Sequence, residues 1–143
     1  MFLLNFAIFL IMLTSVKCDL WKVPTAIDIQ AAFETCEISN EYFLNAEENY
    51  DHDSNDIRCF TKHLGLWTDE EGFQAKRLIK LLKKYQQPIE IVVVIGYCNR
   101  SHKQINNPDR WANEAYQCFA KGRIGQWINE YVKNVYKNKI TTK

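Results

Sequence analysis

A few side chains in this sequence have the types and spacing to do chemistry. Cys59 and His63 stand four residues apart, so on a helix they share a face. There an imidazole can take the thiol proton and leave a nucleophilic thiolate. His52 lies between Asp51 and Asp53, a nitrogen and two carboxylates of the kind that bind metal, but no second group follows at ligand spacing. Asn99-Arg100-Ser101 is an N-glycosylation sequon. It follows Cys98 directly, where a helix and a disulfide would block the modification. The chain contains no G-x-S-x-G elbow, Walker loop, H-E-x-x-H pair or Rossmann glycine pattern. The expectation is a protein that is not an enzyme and that holds no cofactor and no metal.

The elements that would position these groups begin after an apolar leader. Residues 1–18 run almost without polar interruption from Phe2 to Val16, too short for a comfortable membrane span. Val16 and Cys18 offer small residues at the −3 and −1 positions of a signal-peptide cleavage site. We therefore expect a signal peptide over 1–18, one domain over 19–143, a secreted location and no membrane insertion. The whole chain has 143 residues, with 18 basic against 17 acidic ones. Charges so balanced exclude a global field for nucleic acid. The segment 19–143 keeps Cys36, Cys59, Cys98 and Cys118. An even number in a small secreted chain reads as two disulfides, for which three pairings exist. Either bridge that includes Cys59 removes the thiolate chemistry.

The hydrophobic patterning is helical. Ile29, Ala32, Phe33 and Cys36 form one stripe over Asp28–Glu37, and Tyr42, Phe43 and Ala46 suggest a short helix over Glu41–Glu48. Residues 50–53 read as a loop. Asp53 or Ser54 caps a helix carrying Ile57, Phe60 and Leu64, stopped by Gly65. Thr68-Asp69-Glu70-Glu71 has the form of a capping box. The helix it opens turns Phe73, Leu78, Leu82 and Tyr85 inward and Lys76, Lys80, Lys83 and Lys84 outward, and Pro88 ends or interrupts it. Ile91–Ile95 is strand-like by propensity but has no partner strand. We read it as a helix fully buried by its neighbours. Asn107 and Pro108 open a helix bearing Trp111, Ala115, Cys118 and Phe119. Gly122 and Gly125 mark a break before Ile124–Tyr136, with Ile124, Trp127, Ile128, Tyr131 and Val135 on one side. The tail 137–143 frays. The fold class is all-α, a single compact domain of six to seven short helices.

The segment Cys59-Phe-Thr-Lys-His-Leu-Gly65-Leu66-Trp67, followed by Thr68-Asp-Glu-Glu-Gly-Phe73, resembles the insect odorant-binding protein family. That family carries six cysteines in a set order, the second and third separated by three residues and the fifth and sixth by eight. Cys36 then takes the first position, Cys59 the third, Cys98 the fourth and Cys118 the sixth. The second and fifth positions fall on Asn55 and Asp109. The family joins those two to each other, so one whole bridge is absent, as in its four-cysteine "minus-C" branch. The resemblance implies Cys36–Cys59 and Cys98–Cys118. An alternative alignment, with Cys59 second and His63 at the third position, leaves two half-bridges and ranks lower. The opening, Leu20-Trp21-Lys22-Val23-Pro24 through Phe33-Glu34-Thr35-Cys36, is also similar to salivary scavenger proteins of blood-feeding insects.

The resemblance implies a carrier of small hydrophobic ligands, of odorant, pheromone or lipid type, with helices around an internal apolar cavity. Its candidate walls are Leu64, Trp67, Phe73, Leu78, Leu82, Val94, Trp111, Ala115, Phe119, Trp127 and Tyr131. Stripes of this kind ordinarily pack as core. Trp and Tyr among them add hydrogen bonds or cation–π contacts to a ligand. Such a carrier is a monomer or weak dimer, connected to a membrane receptor only through its ligand. Two other functions compete: a scavenger of biogenic amines or lipid mediators, needing a buried acidic or aromatic group, and a secreted helical interaction protein with an exposed apolar patch and no cavity.

Overall fold

The computed structural model describes residues 19–38 and 54–140, the last five as backbone only. Residues 1–18, the expected helix Glu41–Glu48 and the loop holding His52 lie outside the described residues. Among the described residues there are six α-helices: α1 Ala26–Thr35, α2 Asp56–His63, α3 Ala75–Leu81, α4 Pro88–Ser101, α5 Pro108–Ala120 and α6 Arg123–Ile140. A two-residue hairpin, β1 Trp67–Thr68 with β2 Gly72–Phe73, joins α2 to α3. Helix α5 is the hub and packs against α2, α4 and α6. None of these helices is long and apolar enough to cross a membrane.

Helix α1 opens two residues earlier than the stripe suggests, because Thr25 and Asp28 form a reciprocal capping box. The Thr25 hydroxyl accepts from the Asp28 amide, and the Asp28 carboxylate accepts from the Thr25 amide at 2.7 Å. Ile29, Ala32 and Phe33 face the core. At α2 the Ser54 hydroxyl accepts from the Asp56 amide at 3.1 Å, and Gly65 ends the element with φ 69°. A side chain on Gly65 would be strained by that φ and would meet the Trp21 indole 2.9 Å away.

The expected capping box at Thr68 is corrected. Its hydroxyl does accept from the Glu71 amide at 3.2 Å, but inside the hairpin turn, and the helix begins only at Ala75. The reason lies 26 residues away. Asn99 of α4 accepts from the Phe73 amide at 3.0 Å and donates to the Phe73 carbonyl at 2.9 Å, as a neighbouring strand would. Gly72, at φ 84°, brings the turn close enough that a Cβ would stand 2.6 Å from the Asn99 side-chain oxygen, Oδ1. Asn99 is buried and its amide nitrogen is spent on this bond, leaving the sequon no free acceptor.

Three further expectations change. Pro88 does not end a helix but starts α4, at the first position where its missing N–H costs nothing. Helix α4 is indeed a helix, yet it is not fully buried. Ile91 and Ile95 are covered, while Ile89, Val92, Val93 and Tyr97 are 48–79% exposed along its outer face. The C-terminal segment does not fray from residue 137, since α6 continues to Ile140. Gly125 sits within its first turn, where a Cβ would collide with the Ala120 backbone, and so lets α6 fold back tightly on α5.

Candidate ligand-binding site

The cysteines pair as Cys36–Cys59 and Cys98–Cys118. The first ties α1 to α2, and the second ties α4 to α5. Cys59 therefore has no thiolate to offer, and His63 is exposed beside it. No group of three or more histidines, cysteines or carboxylates among the described residues is placed to hold a metal.

The two positions that lack cysteine relative to the resemblance are joined through polar contacts around them. Asp109 accepts from the Arg58 guanidinium at 3.1 Å, and the Asn113 amide donates to the Ser54 carbonyl at 2.6 Å, one residue before Asn55. Arg58 also forms a two-pronged pair with Asp69, at 2.8 and 2.7 Å. Asp69 further accepts from Lys62 and from the Trp67 indole. The Arg58 hydrogen bonds hold the Asp69 carboxyl well below the usual carboxylate range, against a smaller opposing effect of burial. This network pins the hairpin to α2 and α5.

Eight of the eleven candidate wall residues (Leu64, Trp67, Phe73, Leu78, Leu82, Trp111, Ala115 and Phe119) belong to the buried core, and Val94, Trp127 and Tyr131 pack half-buried against it. Their rings interlock edge to face. Trp67 meets Phe73 and Trp111 at 4.9 Å, and Phe73 meets Phe119 at 5.0 Å. The polar ends are engaged within the protein: the Trp67 indole with Asp69, the Trp111 indole with the Asn99 carbonyl, and the Tyr131 hydroxyl with the Pro24 carbonyl. Burial pushes the Tyr131 hydroxyl pKa upward. Trp127 lies flat on Tyr85 at 4.8 Å, with Arg123 over its other side at 5.9 Å.

A concave apolar surface lies at the corner where α3 meets α4. Helix α3 ends at Leu81, a 3-10 turn covers Lys83–Tyr85, and Gln86 adopts the left-handed conformation at φ 52°. For a residue with a Cβ that conformation costs about 1 kcal/mol, and it reverses the chain so that α4 returns beside α3. The reversal leaves a pocket of about 300 Å³. Ile79, Leu82 and Ile91 form its floor, Pro88 one side, and the stems of Lys83, Gln86 and Gln87 its rim. No carboxylate contributes to the lining. The acidic groups tied to this corner are already engaged. Glu90 pairs with Arg123 at 2.7 Å, and Glu130 accepts from the Tyr85 hydroxyl. Desolvation first, and Glu130 second, push the Tyr85 hydroxyl up to about 12.

Leu82 is the one candidate wall residue that lines this pocket, while Phe73 borders a wider groove of mixed polarity between residues 19–20 and α3. Ile79, Lys83, Gln86, Gln87, Pro88 and Ile91 are not among the candidates. A single helix through Tyr85 hides them, since it places Leu78 and Leu82 inward and leaves Ile79 and Lys83 incidental. The dipeptide Gln86-Gln87 before Pro88 is the signal that marks the turn, because the residue before a proline is driven out of the helical region.

Comparison with known families gives one finding. A family model described as the PBP/GOBP family matches residues 29–122, which include all four paired cysteines and the pocket. No curated protein and no solved structure matches the chain.

Proposed function

The chain belongs to the PBP/GOBP family, the insect odorant-binding family, whose members are small carriers of odorants and pheromones and not enzymes, and from that premise we propose that it is a secreted carrier that sequesters small hydrophobic ligands. The observation that carries this reading is the apolar pocket between α3 and α4, with its buried aliphatic floor. Apolar burial supplies the affinity of such a site, and a few polar groups at its edge set orientation. The eleven positions from Leu64 to Tyr131, eight in the core and three packed against it, support it by holding the helices in place around the pocket. Secretion is supported by the two disulfides and by the apolar leader.

The amine-scavenger reading lacks its main requirement at this pocket, where no carboxylate lines the wall. The interaction-protein reading draws support from the exposed stripe Ile89, Val92, Val93 and Tyr97 on α4. One experiment separates them: displacement of an apolar fluorescent probe from the oxidised protein, secreted from a eukaryotic host. We expect saturable probe binding at about micromolar concentration, reversed by medium- and long-chain alcohols, esters or acids. Displacement by biogenic amines alone would favour the scavenger. A folded, correctly bridged protein that binds no probe would leave only the interaction protein.

A further inference from the structure

We propose that the α3–α4 pocket selects a single-tailed amphiphile with an anionic head, a medium-chain carboxylate, holding the tail on Ile79, Leu82 and Ile91 and the head at Lys83. The proposal deepens the carrier reading and rests on it.

The division of the pocket is the first argument. Its accessible lining is almost wholly carbon, so it offers a tail no hydrogen bond and a polar head no place inside. A ligand with one polar end must therefore leave that end at the rim. About 300 Å³ is at the small end for ligand sites and suits a chain of about ten carbons.

The rim is the second. It carries one charged side chain, Lys83, and two amides, Gln86 and Gln87, all on exposed residues. Lysine can lay its methylene stem along an apolar surface and keep its ammonium in water, and Lys83 is an exposed residue that lines this pocket. Lys83 pairs with no carboxylate among the described residues, whereas its neighbours do: Lys80 stands 3.9 Å from Asp19, and Lys84 3.8 Å from Glu130. Glu90, in the first turn of α4, would repel an anion, but Arg123 holds it at 2.7 Å. Among the described residues the rim thus carries a positive charge with no carboxylate partner, and two glutamines border it. The left-handed backbone at Gln86 turns the chain so that residues 86 and 87 border the pocket instead of continuing the helix away from it. An alcohol or ester gains only a neutral hydrogen bond there, while a carboxylate gains a charged one.

The test compares decanoate with 1-decanol on the full-length secreted protein and on three single variants at pH 7.5. In the natural chain decanoate is expected to bind about fivefold more tightly, a modest factor because the rim is wet. Lys83→Gln should weaken decanoate more than decanol and so remove that gap. Lys80→Gln, which removes the same charge elsewhere on α3, should keep the gap. Gln87→Trp, which fills the mouth from an exposed position, should weaken both ligands. Equal binding of acid and alcohol by the natural chain, or a gap that survives Lys83→Gln, overturns the head-group assignment while the carrier reading stands. Unimpaired binding by Gln87→Trp overturns the location. Binding of neither ligand by the natural chain overturns the carrier reading as well.

Discussion

Two corners of this molecule are built in opposite ways. Where the hairpin meets α2 and α5, charged groups and indoles are tied to one another. Arg58 bridges Asp69 and Asp109, Trp67 donates to Asp69, Trp111 donates to α4, and a disulfide lies on either side. Where α3 meets α4, the helix breaks early, the backbone turns through a left-handed glutamine, and an apolar pocket is left between the two helices. The difference shows how a chain of this size combines definition with an open apolar surface. Covalent and ionic ties concentrated at one corner hold the helices in register, so the other corner can keep a pocket unfilled by its own side chains. A pocket is absent packing, and absent packing costs stability that the rest of the fold must supply.

The largest expected effect tests the closed corner. Trp111→Ala removes a 1% exposed ring from the edge-to-face cluster and orphans the Asn99 carbonyl. It should destabilise the protein by about 3–5 kcal/mol, a drop of about 10–20 °C in a circular-dichroism melt. A loss under about 1 kcal/mol would mean that the cluster is as loosely packed as the α3–α4 corner, and the comparison would break.

A smaller effect should follow from Asp69→Asn, which leaves Arg58 with half of its pairing. About 1–2 kcal/mol is expected at pH 7, from partly exposed charged hydrogen bonds. The pH dependence carries a sign. Because Asp69 titrates below its ordinary 3.8 in the folded chain, its contribution is full above that value and is lost as pH falls toward the lowered one. Urea midpoints should therefore show the natural chain and Asp69→Asn converging below about pH 4, and running parallel from pH 5 to 8. A gap at pH 2 as large as the one at pH 7 would assign the effect to shape, not charge.

The smallest effect sharpens the open side. Val93→Ser changes a residue 62% exposed on α4 and should shift the unfolding free energy by no more than about 0.5 kcal/mol. A cost above 1 kcal/mol in the same melt would show that something covers that face in solution, and a concentration-dependent midpoint would identify it as a second copy.

Much of the fold was legible before any coordinates. The stripes Ile29–Ala32–Phe33, Ile57–Phe60–Leu64 and Trp111–Ala115–Phe119 all face the core. Their periods of three and four are properties of the helix itself, and neighbouring residues decide them. Asn107 and Gly65 announce an end of their elements for the same local reason. The cystine pairing followed from resemblance, since four cysteines by themselves permit three pairings. The candidate site was much less legible. Of the residues chosen for its wall, Leu82 lines the pocket that the described residues form between α3 and α4.

The amino-acid order alone determined that this chain is helical, which residues carry its apolar faces, and where most elements start and stop, because each of these depends on interactions within a few residues. The tertiary structure decided which of those faces are covered. Thr68–Phe73 became a hairpin because Asn99, far along the chain, completes its hydrogen bonds, and Val92 and Val93 stayed exposed because no element packs on that side of α4 among the described residues. The pocket arose because α3 stops where Gln86 can turn and Pro88 can begin again. Burial is a relation between distant segments, and a period in the sequence names a face without naming what will meet it.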